Sequence, residues 1–141
     1  FMKIVLAVDG SKCTKKALAF LVTHENLAGE GDEVLVLNVQ PALPPRVRSA
    51  VGAQVATEYQ TEEAEKVLKP IGRFLDKHAI NYRTEWVVGH PAEQILRAAK
   101  KFKAHIVVMG THGHGLLGRA VMGSVAQQVV TESDVPVLLV K

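Results

Sequence analysis

Five short apolar runs divide the chain: Lys3–Val8 (KIVLAV), Glu33–Val39 (EVLVLNV), Thr84–Val88 (TEWVV), His105–Met109 (HIVVM) and Val135–Val140 (VPVLLV). Most are rich in Val, Ile and Leu with little polar alternation. That is the pattern of strands covered on both faces, as in a parallel sheet. Between them the apolar period changes to that of helices. Residues 12–26 carry Ala17, Leu18, Leu21 and Val22 at helical spacing, and 57–79 place Ala64, Val67, Leu68, Ile71, Phe74 and Leu75 on one stripe. Pro70 lies inside that second stripe and predicts a kink or break there. Residues 91–102 open on Pro91, a favoured first helical position, and bury Ile95, Leu96, Ala99 and Phe102. A short helix is predicted over 123–132. The order βαβαβαβαβ specifies one doubly wound α/β domain, an open sheet of five parallel strands with helices on both faces. Residues 40–56, with three prolines and a glycine, read as a lid or a mobile connection. No internal repeat and no second domain are visible.

In such a sheet ligands bind beyond the carboxyl ends of the strands, where the strand order reverses. Two strand ends are polar and loop-like. The first strand runs into Asp9-Gly10-Ser11. The fourth runs into the stretch 110–125, GTHGHGLLGRAVMGSV, which has five glycines in sixteen residues. A glycine-rich turn after a buried strand suits a phosphate, but the chain contains no Gly-Lys-Ser/Thr, so this is not a P-loop. Gly110 and Gly113 would let the backbone turn tightly and approach a ligand. Gly123-Ser124 begins the last helix, where free N–H groups and the positive dipole end hold anions without lysine. Ser124 adds a hydroxyl, and Arg119 is near enough in sequence to reach a phosphate. A structural alternative stands beside this one: Ser124 as a plain N-cap and the glycines as loop formers. Asp9 likewise suits a ribose or base contact, or capping of the first helix together with Ser11; the two can coexist.

The histidines add less. His112 and His114 at i, i+2 could share a metal only in extended geometry, and no cysteine or carboxylate of this loop completes a shell. His90, in VVGHPAE, is a candidate for the same cleft or for solvent. No nucleophile elbow, metal-ligand pair or acidic Mg²⁺ cage beyond Asp9 occurs, so no catalytic residue is assigned.

Composition narrows the class. At 141 residues with 48 % apolar and 22 % charged side chains, the chain has the make-up of one soluble globular domain. Net charge is +3, from 17 basic against 14 acidic residues, too mild to argue for nucleic acid. Lys100, Lys101 and Lys103 read as a solvated helix end. The one cysteine, Cys13, cannot form an intramolecular disulfide, and near a helix start it is read as a passive small side chain. Charges interrupt every apolar run well short of a membrane span. The expectation is a cytoplasmic protein without membrane contact. Its domain covers 2–141, with Phe1 as a residue added before a natural Met2-Lys3 start.

At this point the residues resemble a known family. Gly110-x2-Gly113-x9-Gly123-Ser124 is similar to the nucleotide-binding signature of ATP-binding universal stress proteins, Gly-x2-Gly-x9-Gly-Ser/Thr. The resemblance extends over KIVLAVDGS, VVGHPAEQIL, HIVVMGTHGHG and GSVAQQVVTESDVPVLLVK, in order. It implies strand order 3-2-1-4-5 and an ATP site, with Mg²⁺ accompanying the nucleotide. In that site Asp9 meets the adenosine end, Val39 meets the adenine through its backbone, and Met109 and Gly110 flank the ribose and phosphates. Gly113, Gly123, Ser124 and Val125 offer their amides to the phosphates. Ala7, His112 and Arg119 complete the set. The resemblance also implies a regulatory homodimer of the stress response, paired through the last strand, Val135 to Val140; an apolar edge strand is a liability unless it is paired. Two positions depart from the family pattern: Asn38, where histidine is frequent, and His105, where aspartate is frequent. Two rivals remain at this level. One is slow ATP hydrolysis or nucleotidyl transfer assisted by His112 or His114; the other is a dimeric interaction protein that binds no nucleotide, its protein partners unknown.

Overall fold

The apolar runs form five parallel strands: β1 (Lys3–Ala7), β2 (Glu33–Gln40), β3 (Tyr82–Val88), β4 (Ile106–Gly110) and β5 (Val137–Val140). They lie in the order β3-β2-β1-β4-β5 in a computed structural model that describes residues 1–24, 26–111 and 122–141. Among the described residues five helices connect them: α1 (Lys12–Thr23), α2 (Pro45–Val51), α3 (Ala53–Asp76), α4 (Pro91–Phe102) and α5 (Ser124–Glu132).

Alternation along the strands divides the core into two layers. Ile4, Leu6, Val34, Val36 and Val108 pack against Ala17, Leu18 and Leu21 of α1 and Leu68, Ile71 and Leu75 of α3. Val5, Leu35, Leu37, Val107 and Met109 pack against Ala92, Ile95, Ala99 and Phe102 of α4 and Ala126 and Val129 of α5. The central strands are buried on both sides, as their unbroken apolar runs predict, and removing each Val, Ile or Leu from water contributes roughly 1.5–3 kcal/mol. β3, at the sheet edge, is mostly exposed, with Arg83, Thr84 and Glu85 all open to solvent.

The helices add three details to what the sequence predicts. α3 runs unbroken through Pro70. The missing Pro70 N–H would have served the carbonyl of Lys66. Both residues are exposed, so water can serve that carbonyl, while the buried stripe Ala64, Leu68, Ile71 and Leu75 holds the helix. The 40–56 connection is largely helical. Pro45 opens α2, and Gly52, at φ 87°, turns directly into α3, which therefore begins four residues before the predicted start. α1 ends at Thr23, short of the predicted 26.

The strand order creates the functional edge. The chain leaves β1 towards β2 and β3, then returns to β4 and β5 on the other side. The loops after β1 and β4 therefore part at the centre of the sheet, at its carboxyl end.

Candidate functional site

A cavity of about 310 Å³ opens at that switch point. Its walls come from the ends of β1 (Ala7, Val8, Asp9), β2 (Leu37, Val39) and β4 (Met109, Gly110). The starts of α1 (Ser11, Thr14), α4 (Pro91, Ile95) and α5 (Gly123, Ser124, Val125, Ala126) complete it. Eight of the eleven residues predicted for the nucleotide site thus line one cavity: Ala7, Asp9, Val39, Met109, Gly110, Gly123, Ser124 and Val125. His112, Gly113 and Arg119, and with them His114, lie outside the described residues.

The turn after β1 is built around Asp9. Gly10 takes φ +81°, which glycine adopts without the Cβ penalty, and reverses the chain into α1. The Asp9 Oδ1 accepts the Ser11 amide at 2.9 Å and the Thr14 hydroxyl at 2.8 Å, while the Asp9 amide donates to Thr14 Oγ1 at 3.0 Å. Ser11 is the N-cap of α1, its hydroxyl accepting the Thr14 amide at 3.4 Å. Asp9 therefore orders its own turn, whatever it also offers a ligand. Thr14, buried at the centre of this knot, has no part in the sequence-level site. Its only signal is a hydroxyl in the first turn after Asp-Gly-Ser.

At the start of α5 the N-cap is Gly123, not Ser124, and no side chain caps the helix. Ser124, Val125 and Ala126 are the first three helical residues, so their amides have no partner within the helix. Ser124 is exposed at the cavity. The Gly123 amide, by contrast, donates to the Thr111 carbonyl at 2.7 Å. Thr111 in turn donates its amide to Val140 of β5 at 3.1 Å, so the two ends of the glycine-rich stretch are tied to each other and to the sheet. An anion at this helix start would meet the Ser124, Val125 and Ala126 amides rather than that of Gly123.

Gly110 meets a packing need as well. A Cβ there would lie 2.3 Å from the Cys13 Cβ and 3.2 Å from the Cys13 carbonyl carbon. Glycine is required because α1 packs directly on β4, and its place in the cavity wall follows from that packing. His90 is the residue before α4, exposed and absent from the lining, whereas its neighbour Pro91 contributes to the wall.

The two departures from the family pattern make ordinary structural bonds. His105 Nδ1 accepts the Lys3 amide at 2.9 Å, an acceptor role that a carboxylate can also fill. Asn38 is buried and donates Nδ2 to the Val8 carbonyl at 2.9 Å. Two groups away from the cavity hold their protons more tightly than usual. Hydrogen bonding to Asp76 holds the Tyr82 phenol above its ordinary value, and a hydrogen bond to Glu63 raises that of Lys66. Among the described residues no group of three or more His, Cys, Asp or Glu could hold a metal ion, and no helix is long and apolar enough to cross a membrane.

Comparison with known proteins places this geometry. A family described as the universal stress protein family matches residues 1–141. The universal stress protein MJ0577 of Methanocaldococcus jannaschii is 36 % identical, covering all of this chain and 95 % of the relative. Its solved structure has a TM-score of 0.82, with 29 % identity, over all of this chain and 96 % of that one. A universal stress protein of Thermus aquaticus is 35 % identical over all of this chain and 99 % of its own length. The structure of the Archaeoglobus fulgidus universal stress protein in complex with dAMP has the same fold, with a TM-score of 0.72 at 24 % identity, over all of this chain and 98 % of that one.

Proposed function

Because the chain belongs to the universal stress protein family, we propose that it binds ATP in the cavity at the switch point and acts as a nucleotide-dependent regulatory homodimer of the stress response. The observation that carries this reading is the convergence of three strand ends and an uncapped helix start on one cavity of about 310 Å³, within the range of small-ligand sites. Its two halves differ in chemistry. Leu37, Val39, Ile95 and Met109 give an apolar floor for a base, and the Ser124–Ala126 amides give an anion-binding end. The dAMP complex of the Archaeoglobus relative supports an adenine nucleotide as the ligand class.

Mg²⁺ enters as part of the nucleotide. It would be held by phosphate oxygens and water, with Asp9, whose Oδ1 bonds within its own turn, as the carboxylate of the cavity wall. The pairing surface is β5, an edge strand whose four residues Val137–Val140 are all half-buried; pairing with a second copy removes the exposed edge. The compartment is the cytoplasm.

Thermal unfolding with Mg-ATP, AMP and inorganic tripolyphosphate tests the nucleotide reading. A ligand at about 1,000 times its dissociation constant adds roughly 4 kcal/mol of stability. A large upward shift with ATP and a smaller one with AMP is expected. No shift with any of the three overturns the assignment.

A further inference from the structure

Of the polar side chains buried among the described residues, Ser11 and Thr14 belong to the cavity wall, and Gln60 ties the chain at Pro41 to α3. Asn38 remains. It lies on β2 between two cavity residues, Leu37 and Val39, without lining the cavity itself. Even-numbered β2 residues face α1 and α3 and odd-numbered ones face α4 and the cavity, so Asn38 stands behind the wall.

Ladder geometry gives this position a consequence. β1 and β2 pair in register from Lys3↔Glu33 to Ala7↔Leu37, and the Val8 amide donates one step further, to the Leu37 carbonyl at 2.9 Å. Leu37 therefore points its peptide groups at β1, and so must Val39, two residues on. A parallel ladder continued by one more bond would send the Val39 amide to the Val8 carbonyl. Among the described residues that bond is not made. The Asn38 amide donates to the Val8 carbonyl instead, at 2.9 Å. Gln40 donates Nε2 to Asn38 Oδ1 at 2.7 Å and so fixes which end of the Asn38 amide faces Val8. β1 has by then turned away at Asp9, and the peptide edge of Val39 faces the gap between the two strand ends, beside the cavity.

We propose that Asn38 is a positioning residue: by capping the Val8 carbonyl from behind, it keeps the Val39 N–H and C=O open to a ligand edge that carries an adjacent acceptor and donor, as the ring nitrogen and exocyclic amine of adenine do. This rests on the nucleotide reading for its ligand, but the backbone effect stands apart from it. Asn38→Leu removes the donor at similar size, and the freed Val8 carbonyl then takes the Val39 amide.

The experiment is site-resolved amide hydrogen exchange on the free protein, with calorimetric titration of ATP and tripolyphosphate on the same samples. In the wild type the Val39 amide is expected to exchange fast. In Asn38→Leu it should slow by about tenfold or more, the mark of a new hydrogen bond. ATP affinity should fall about tenfold with tripolyphosphate affinity unchanged, since the phosphate end is untouched. Should Asn38→Leu fail to fold, Gln40→Leu releases the Asn38 amide without removing it and should move both readouts the same way by a smaller factor. Equal exchange of Val39 with and without the substitution overturns the proposal. So does an equal loss of ATP and tripolyphosphate affinity. A wild type that binds neither ligand overturns the nucleotide reading, while the exchange comparison still decides the role of Asn38.

Discussion

The amino end and the carboxyl end of the sheet use similar side chains in opposite ways. At the amino end, polar groups close the backbone. His105 pairs with both the amide and the carbonyl of Lys3, Asp32 accepts the Met2 and Gly29 amides, and the Lys3 ammonium lies over the Phe102 ring. At the carboxyl end, polar groups hold the backbone open. Asp9 and Thr14 tie the β1 turn to itself, Asn38 caps Val8 from behind, and α5 begins without a side-chain cap. In the proposed nucleotide site, open peptide groups would take anions and bases without charged side chains. A closed rim adds stability; an open rim forgoes capping bonds, each about 1 kcal/mol, and leaves its amides available.

The largest expected effect comes from forcing the open rim apart. Gly110→Ala sets a Cβ 2.3 Å from the Cys13 Cβ, so α1 must shift on β4. Overpacking of this kind costs about 3 kcal/mol. Urea unfolding should show that loss, with nucleotide binding lost alongside it because both elements wall the cavity. Cys13→Gly in the same chain removes the Cβ–Cβ overlap and should recover part of both. A Gly110→Ala variant as stable as the wild type would mean that the close packing of α1 on β4 is not what requires glycine.

Next is the knot at Asp9. Thr14→Val keeps the shape and deletes a hydroxyl that accepts the Asp9 amide and donates to its carboxylate. The substitution removes both bonds, one of them to a carboxylate, at about 2 kcal/mol. Stability should fall by that amount and ATP affinity with it. If stability falls and affinity holds, the β1 turn belongs to the scaffold only.

How much of this was legible in the sequence follows from the same contrast. The strands and their parallel direction were readable because Val, Ile and Leu runs covered on both faces leave little alternative; their order, 3-2-1-4-5, came from the family resemblance. The cavity's position followed from that order, and the proposal of an anion at its α5 end from Gly123-Ser124. Contacts made across the fold were not readable. Gly110 belongs to a glycine-rich loop by sequence, but what demands a glycine there is Cys13, 97 positions earlier. Thr14 and Asn38 carry no motif; their importance comes from which carbonyl or carboxylate the fold brings within reach. Pro70 predicted a kink or break, and the helix is not broken there. Pro-rich 40–56 pointed to a loose connection, yet Pro45 at a first helical position and Gly52 at positive φ are helix punctuation.

A third substitution separates binding from stability. Ser124 is the first residue of α5, and the preceding Gly123 has φ −68° and ψ 161°, the region proline requires of its neighbour. Ser124→Pro therefore suits the helix while deleting an outward amide and a hydroxyl. Stability should stay within about 0.5 kcal/mol, and ATP affinity should fall about tenfold, with AMP less affected. Equal affinities in both proteins would move the phosphates away from this helix start.

The smallest effect tests the closed rim. Tyr82 opens β3, with its hydroxyl between the Gly72 carbonyl at 2.9 Å and the Asp76 carboxylate at 2.8 Å. The hydrogen bond to Asp76, then partial burial and the Asp76 charge, hold its proton above the ordinary tyrosine value of about 10. The folded state thus keeps a proton that the unfolded state has released. Stability from this contact is complete below pH of about 10 and is lost as pH rises through the raised folded value, because the unfolded chain binds fewer protons there. Ultraviolet titration should find Tyr82 ionising above the ordinary tyrosine value, and Asp76→Asn should bring it back towards that value. Unfolding measured across the same alkaline range should weaken less in Tyr82→Phe than in the wild type. Nucleotide affinity of the folded protein should follow neither change, because this tyrosine stands at the end of the sheet whose backbone is closed.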